Sequence, residues 1–150
     1  MASRRRSRIL ALQFLFGEDV IASSSTEERL EDFCDRFNLS QKTFPHFFTL
    51  VHGVQKSRDE IEEWIGSSSE HWKISRMSGV DRNIMRIAVY EMLYCNDVPA
   101  KVAINEAIEI GKRFGTDESG AFINGVLDQI NKTINKTIDK ALSNQPDSKE

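Results

Sequence analysis

Four arginines, Arg4, Arg5, Arg6 and Arg8, fall within the first eight residues, with no acid among them. A guanidinium carries a planar fork of N–H donors that matches phosphate oxygens and base edges. Gln13 follows on the same predicted helix and adds an amide able to read a base. A second set lies further on: Lys112, Arg113, Phe114 and Phe122 flank the short stretch Gly115-Thr116-Asp117-Glu118-Ser119. The helix predicted to begin there offers free amides, which favour anions. Cations for phosphates, amides for base edges and flat rings for stacking are what recognition of RNA requires. Asp117 and Glu118 repel phosphate, so the same turn also limits affinity. A plainer reading stands beside each feature. The arginines can be a solvated helix start, Phe122 a core residue, and Phe114 helix-end packing.

Other chemistry finds no support. His46, His52 and His71 lack the spacing of a helical metal motif, and no adjacent acid or cysteine completes a zinc set. His46 and His52 are expected at the surface or its boundary. The glycines at 111, 115, 120 and 125 do not form a phosphate loop or a dinucleotide fingerprint. Asp59-Glu60 and Glu62-Glu63 pair carboxylates along what reads as the solvated face of a helix. The residues therefore suggest a binding protein with no catalytic residues, metal or cofactor. Cys34 and Cys95 sit in helical apolar patterns and are expected as small buried thiols. Net charge is −3, yet the basic start leaves an acidic body behind it. That asymmetry argues against diffuse polyanion binding, and fits either a local phosphate contact or a flexible basic tail with no partner. No stretch approaches the roughly 18 apolar residues of a membrane span, and the chain is expected to be cytoplasmic.

These residues must be held by helices. Positions 80–94 carry apolar residues nearly all round (Val80, Ile84, Ile87, Ala88, Tyr94, with Met85, Val89, Met92 and Leu93), the mark of a helix at the centre of a domain. Asn96-Asp97-Val98-Pro99 ends it, because the residue before proline leaves the α region. A second helix, 100–114, buries Val102, Ala103, Ile104, Ala107 and Ile108. Gly115 follows as an expected left-handed cap. A third carries Phe122, Ile123, Val126, Leu127 and Ile130, then a four-residue repeat whose isoleucines, 130, 134 and 138, drift around the helix. Upstream, 3–16 reads as a helix starting at Ser3, with Gln13 inside its apolar arc. Ser25-Thr26-Glu27-Glu28 has capping-box spacing. Asn38 to Gln41 breaks the helix that follows. Phe44, Phe47 and Phe48 open another, continuing to Ile65, and are expected to be core and not a base-stacking platform. Glu70–Arg76 reads as a short helix with Trp72 tucked inward. No strand pattern persists. The expected fold is all-α, with six to seven helices in two packed bundles, about 1–66 and 70–143, meeting near Gly66-Ser67-Ser68-Ser69. Residues 144–150 are expected to be disordered. Asp81, Arg82, Arg86 and Glu91 are charges on the otherwise apolar central helix, and are expected to form an exposed stripe.

The stretches DRNIMRIAVYEMLY and DVPAKVAINEAIEIGKRFGTDESGAFINGVLDQI, with SRRRSRILALQFLF at the start, resemble the NusB family of bacterial transcription antitermination factors. The middle of the chain resembles it only loosely. The resemblance implies an all-α fold and a single-stranded boxA element of ribosomal-RNA leaders as ligand. It places Arg4, Arg5, Arg6, Arg8, Gln13, Lys112, Arg113, Phe114 and Phe122 against RNA. It implies ribosomal protein NusE as partner, met by Asp81, Arg82, Arg86 and Glu91, within an RNA polymerase antitermination complex. It also implies a homodimer in some members. Phe16 stands where several relatives have tyrosine, so a phenolic contact there is lost. A related helical module precedes some ribosomal-RNA cytosine methyltransferases, but this sequence stops before such a domain would begin. The alternatives are a helical protein–protein adaptor without RNA binding and an accessory subunit of an RNA-modifying enzyme.

Overall fold

A computed structural model describes residues 3–21, 25–69 and 73–143. The expected tuck of Trp72, the place of His71, most of the 22–25 loop and the expected disorder of 144–150 lie outside the described residues. Among the described residues seven α-helices follow one another: α1 Arg4–Val20, α2 Thr26–Phe37, α3 Pro45–Lys56, α4 Arg58–Ser68, α5 Gly79–Tyr94, α6 Ala100–Phe114 and α7 Ser119–Ser143. A 3-10 turn, Ile74–Arg76, precedes α5. No strand occurs among the described residues.

Local chemistry sets the helix ends. Ser3, Ser25 and Ser78 each accept a hydrogen bond from the backbone N–H three residues on, at 3.1 Å, satisfying an amide that the helix leaves unpaired. Asn38 closes α2 in the left-handed conformation, φ 56°, which an asparagine tolerates. Pro45 begins α3, where its missing N–H costs nothing. Thr116 and Ser119 build the α6–α7 corner. Ser119 Oγ accepts from the Thr116 amide at 2.9 Å, and Thr116 Oγ1 accepts from the Glu118 amide at 3.3 Å.

Helix α5 is central, packing against α1, α3, α4, α6 and α7. Its neighbour α1 runs antiparallel to it: Arg4 reaches Asp97 beyond the α5 C-terminus, while Phe16 lies against Gly79 at the α5 N-terminus. One continuous apolar cluster joins both halves of the chain, from Leu10 and Leu15 through Phe47, Ile61 and Met85 to Ile123 and Leu127. Each such side chain contributes roughly 1.5–3 kcal/mol when fully buried.

Several expectations need correction. Helix α1 continues to Val20, beyond the expected end at 16. Gln13 is exposed; Arg8 takes the inward position instead. The helix expected from Phe44 to Ile65 breaks at Ser57, so α3 packs on α1 and α5 while α4 packs on α5 and α7, placements one straight rod does not reach. Gly66 to Ser68 form the last turn of α4, with Ser69 as its cap. Gly115 is not left-handed (φ −94°). Glycine is needed because a Cβ there would sit 2.7 Å from Ser119 Cβ and 2.8 Å from the Gly111 carbonyl oxygen. The aromatic cluster is core, as read: Phe47 is fully buried, and its ring stacks on Phe33 at 5.8 Å between centroids. Cys34 and Cys95 are free thiols, half-buried and not fully enclosed as expected.

Candidate nucleic-acid interface

The four arginines have different fates. Arg8 is 4% exposed and sits on the inner face of α1, in register with Leu12 and Leu15. Its guanidinium donates to both carboxylate oxygens of Glu91 on α5, from Nε at 2.8 Å to Oε1 and from Nη2 at 2.8 Å to Oε2. Glu91 is 1% exposed and also contacts His46 Nε2 at 3.0 Å. Burial alone would push the Glu91 carboxyl up; His46 and Arg8 outweigh it and hold the group below the usual carboxylate range. Arg8 Nη1 donates further to Glu106 Oε1 at 3.2 Å. Arg5 grips the other oxygen of Glu106, from Nε at 2.9 Å and Nη2 at 2.6 Å. Arg4 pairs with Asp97 in the α5–α6 connection. Arg6 is exposed, and among the described residues no acid pairs with it. The expectation that Arg8 faces RNA with the other arginines is therefore corrected: Arg8 is a buried strut between α1 and α5.

The second set stays at the surface. Lys112 and Arg113 are exposed at the end of α6; Lys112 Nζ lies 3.6 Å from Glu109, and the Arg113 guanidinium rests 5.1 Å from the Phe114 ring centre. Phe114 is exposed, and Phe122 is half-buried at the core margin. Phe122 lines a cavity of about 230 Å³ with Arg76, Met77, Ser78, Asp81, Thr116, Glu118 and Ser119. Asp81 Oδ1 is buried there without a hydrogen-bond donor among the described residues. Phe16, exposed, lies against Gly79, the chain neighbour of cavity-lining Ser78; a Cβ on Gly79 would lie 2.7 Å from its ring.

The expected exposed stripe on the central helix does not exist. Asp81, Arg86 and Glu91 are buried, and Arg82 is half-buried. They belong to three places: Asp81 faces the Phe122 cavity, Glu91 holds Arg8, and Arg82 and Arg86 converge on Asp19 of α1. Arg86 Nη1 lies 3.0 Å from Asp19 Oδ2, and its Nη2 pairs with Glu62. Arg82 Nη2 and Asn83 Nδ2 reach the same Asp19 oxygen at 3.3 and 2.8 Å. Burial raises the Asp19 carboxyl, but Asn83, Arg86 and Arg82 prevail and hold it low. The reason is geometric: five helices pack around α5, so Arg82, Arg86 and Glu91 find their partners inside, while Asp81 Oδ1 is left without a donor among the described residues. Arg58, exposed, closes this network with 3.3 Å to Asp19 and 3.2 Å to Glu62.

Sequence reasoning missed Asp19, His46, Glu62, Asp97 and Glu106. A signal existed for the buried set: Arg8 falls at apolar spacing in α1, and Glu91 falls in the most apolar stretch of α5, so the two opposite charges suit each other as partners. Nothing local marks Glu106, whose role depends on how α6 lies across α1.

A family model described as the NusB family matches residues 5–132. The "Transcription antitermination protein NusB" of Desulfosudis oleivorans is 67% identical over 136 residues, covering 89% of this chain and 88% of its own. Among solved structures, a NusB of T. maritima superposes with a TM-score of 0.79 at 37% identity, covering 87% of this chain and 92% of its own. A structure of the antitermination factors NusB and NusE in complex with dsRNA superposes at 0.75 with 23% identity, covering 87% and 96%, and shares the fold.

Proposed function

The chain belongs to the NusB family, and we propose that it acts in transcription antitermination by binding boxA-type single-stranded RNA together with ribosomal protein NusE. One observation carries the RNA reading. Arg5 and Phe16, eleven residues apart, fall on one face of α1, because eleven residues make just over three full turns. Phe16 then touches Gly79 beside the Asp81–Phe122 cavity. Cations and a ring-lined recess therefore lie along one surface. Backbone phosphates meet Arg5 and Arg6 at one end. At the other end a base stacks on Phe122, and its amino group donates to the unpartnered Asp81 carboxylate. Lys112 and Arg113 flank that recess from the end of α6. The work is assembly and not bond-making: RNA, NusE and polymerase are held at high local concentration. Contact with NusE is assigned to the surface around Arg58 and Arg82, the accessible part of the Asp19 network.

The test is a binding titration with a boxA-type RNA oligonucleotide at several salt concentrations, with and without NusE. Arg6→Ala should flatten the log–log salt dependence by about 0.7, one phosphate lost. Phe122→Ala should weaken binding by about 1–3 kcal/mol with the salt dependence intact. Wild-type binding that ignores salt, or both variants binding like wild type, defeats this reading of the surface.

A further inference from the structure

Two of the surface arginines are already occupied. Arg5 presents its Nε and Nη2 to one oxygen of Glu106, the grip it would use on a phosphate. Arg4 does the same toward Asp97 with one Nη. The acids are not equally placed: Glu106 is 17% exposed and anchored from below by Arg8, while Asp97 is 64% exposed. Arg8 does not need Glu106 for its charge, because Glu91 already holds it through both oxygens. The negative charge of Glu106 is thus spent on Arg5. Of the four arginines, only Arg6 has no acid against it among the described residues.

We propose that Asp97 and Glu106 are affinity-setting residues that stand in for phosphate in the free protein and hand Arg4 and Arg5 to RNA on binding. This rests on the RNA-binding reading above and adds its regulation. An incoming phosphate must replace a carboxylate that costs no entropy to assemble, so part of each arginine's attraction is already used. The exchange is feasible because both arginines are about half exposed, and exposed ion pairs are weak and screened. The consequence is discrimination. A ligand that offers a single loose phosphate gains little over the resident acids. One that presents several phosphates in register along α1 displaces both acids at once.

The measurement is the affinity of the full chain for a boxA-type single-stranded RNA at low salt. Asp97→Asn and Glu106→Gln should each bind about two- to fivefold tighter than wild type, the range an exposed ion pair spans in an equilibrium constant. Asp97→Asn changes an exposed loop side chain, so it reports even if the half-buried Glu106→Gln folds poorly. Asp32→Asn, an exposed acid on α2, removes the same charge without freeing an arginine and should bind like wild type. In an Arg5→Ala background the gain from Glu106→Gln should vanish. Unchanged or weaker binding by Asp97→Asn, an equal gain from Asp32→Asn, or a Glu106→Gln gain that survives the loss of Arg5 overturns the proposal. Wild type that binds RNA without any gain in the variants sinks this inference alone. No binding by wild type or variants sinks the RNA-binding reading and this one together.

Discussion

Two arginines separated by a single residue have opposite roles. Arg6 points to water, while Arg8 is enclosed by Glu91 and Glu106. Removing one partner of a buried pair leaves the other charged and desolvated, so Arg8→Ala should cost about 3–5 kcal/mol of stability by urea unfolding. Arg6→Ala should stay within about 0.5 kcal/mol. Equal effects would contradict the assignment of one to the interior. The same contacts give a pH dependence. Glu91 and Asp19 are held below their ordinary values in the folded chain. Their contribution is therefore complete above the unfolded carboxyl values, about 4, and is lost as pH falls through the lower folded values. Urea midpoints should drop between neutral pH and about pH 3. In Glu91→Gln, which cannot titrate, that drop should be shallower; an identical pH profile would show that Glu91 does not contribute.

At the level of elements, the corner between α6 and α7 positions the recess. Thr116 Oγ1 accepts from the Glu118 amide and Ser119 Oγ from the Thr116 amide, and Gly115 leaves room for the serine. Alanine at 115 should improve local chain entropy, since glycine is the more flexible residue. Crowding by Ser119 and the Gly111 carbonyl outweighs that gain: Gly115→Ala should destabilise by about 1–3 kcal/mol in thermal unfolding. It should also weaken RNA binding, because Ser119 and Phe122 line the same cavity. A stabilised variant would mean that the corner relaxes freely. Helix α7 behaves differently along its length. Ile130 is buried, Ile134 half-buried and Ile138 exposed, because a four-residue repeat slips around a helix of 3.6 residues per turn.

For the whole molecule, one core joins both halves, with α5 inside it. Ile87 lies there, 4% exposed. Ile87→Ala should lose about 2–5 kcal/mol. Far-ultraviolet circular dichroism and tryptophan fluorescence should report the same single urea transition, for wild type and variant alike. Two separated transitions would show that the halves at 1–66 and 70–143 fold independently.

The amino-acid sequence alone determined the all-α class, the helices α5, α6 and α7 to within a residue or two at their capped ends, the aromatic core and the family, because periodicity, serine caps and proline breaks act within one or two turns. It also marked the arginines and Phe122 as the chemistry worth finding. Only the tertiary structure decided which charges are free. Helical spacing sets Arg8 apart from Arg6 as an inward position but does not say what it meets, and Asp81 and Glu91 look alike on one helix. What they meet is set by helices far along the chain: Arg8 finds Glu91 of α5 and Arg5 finds Glu106 of α6, 83 and 101 residues away, while Asp81 shares a cavity with Phe122 of α7. Long-range ion pairs have no local signature, since a charge is compatible with water and with a buried partner alike. The cost of burying it unpaired is expressed only once the helices pack.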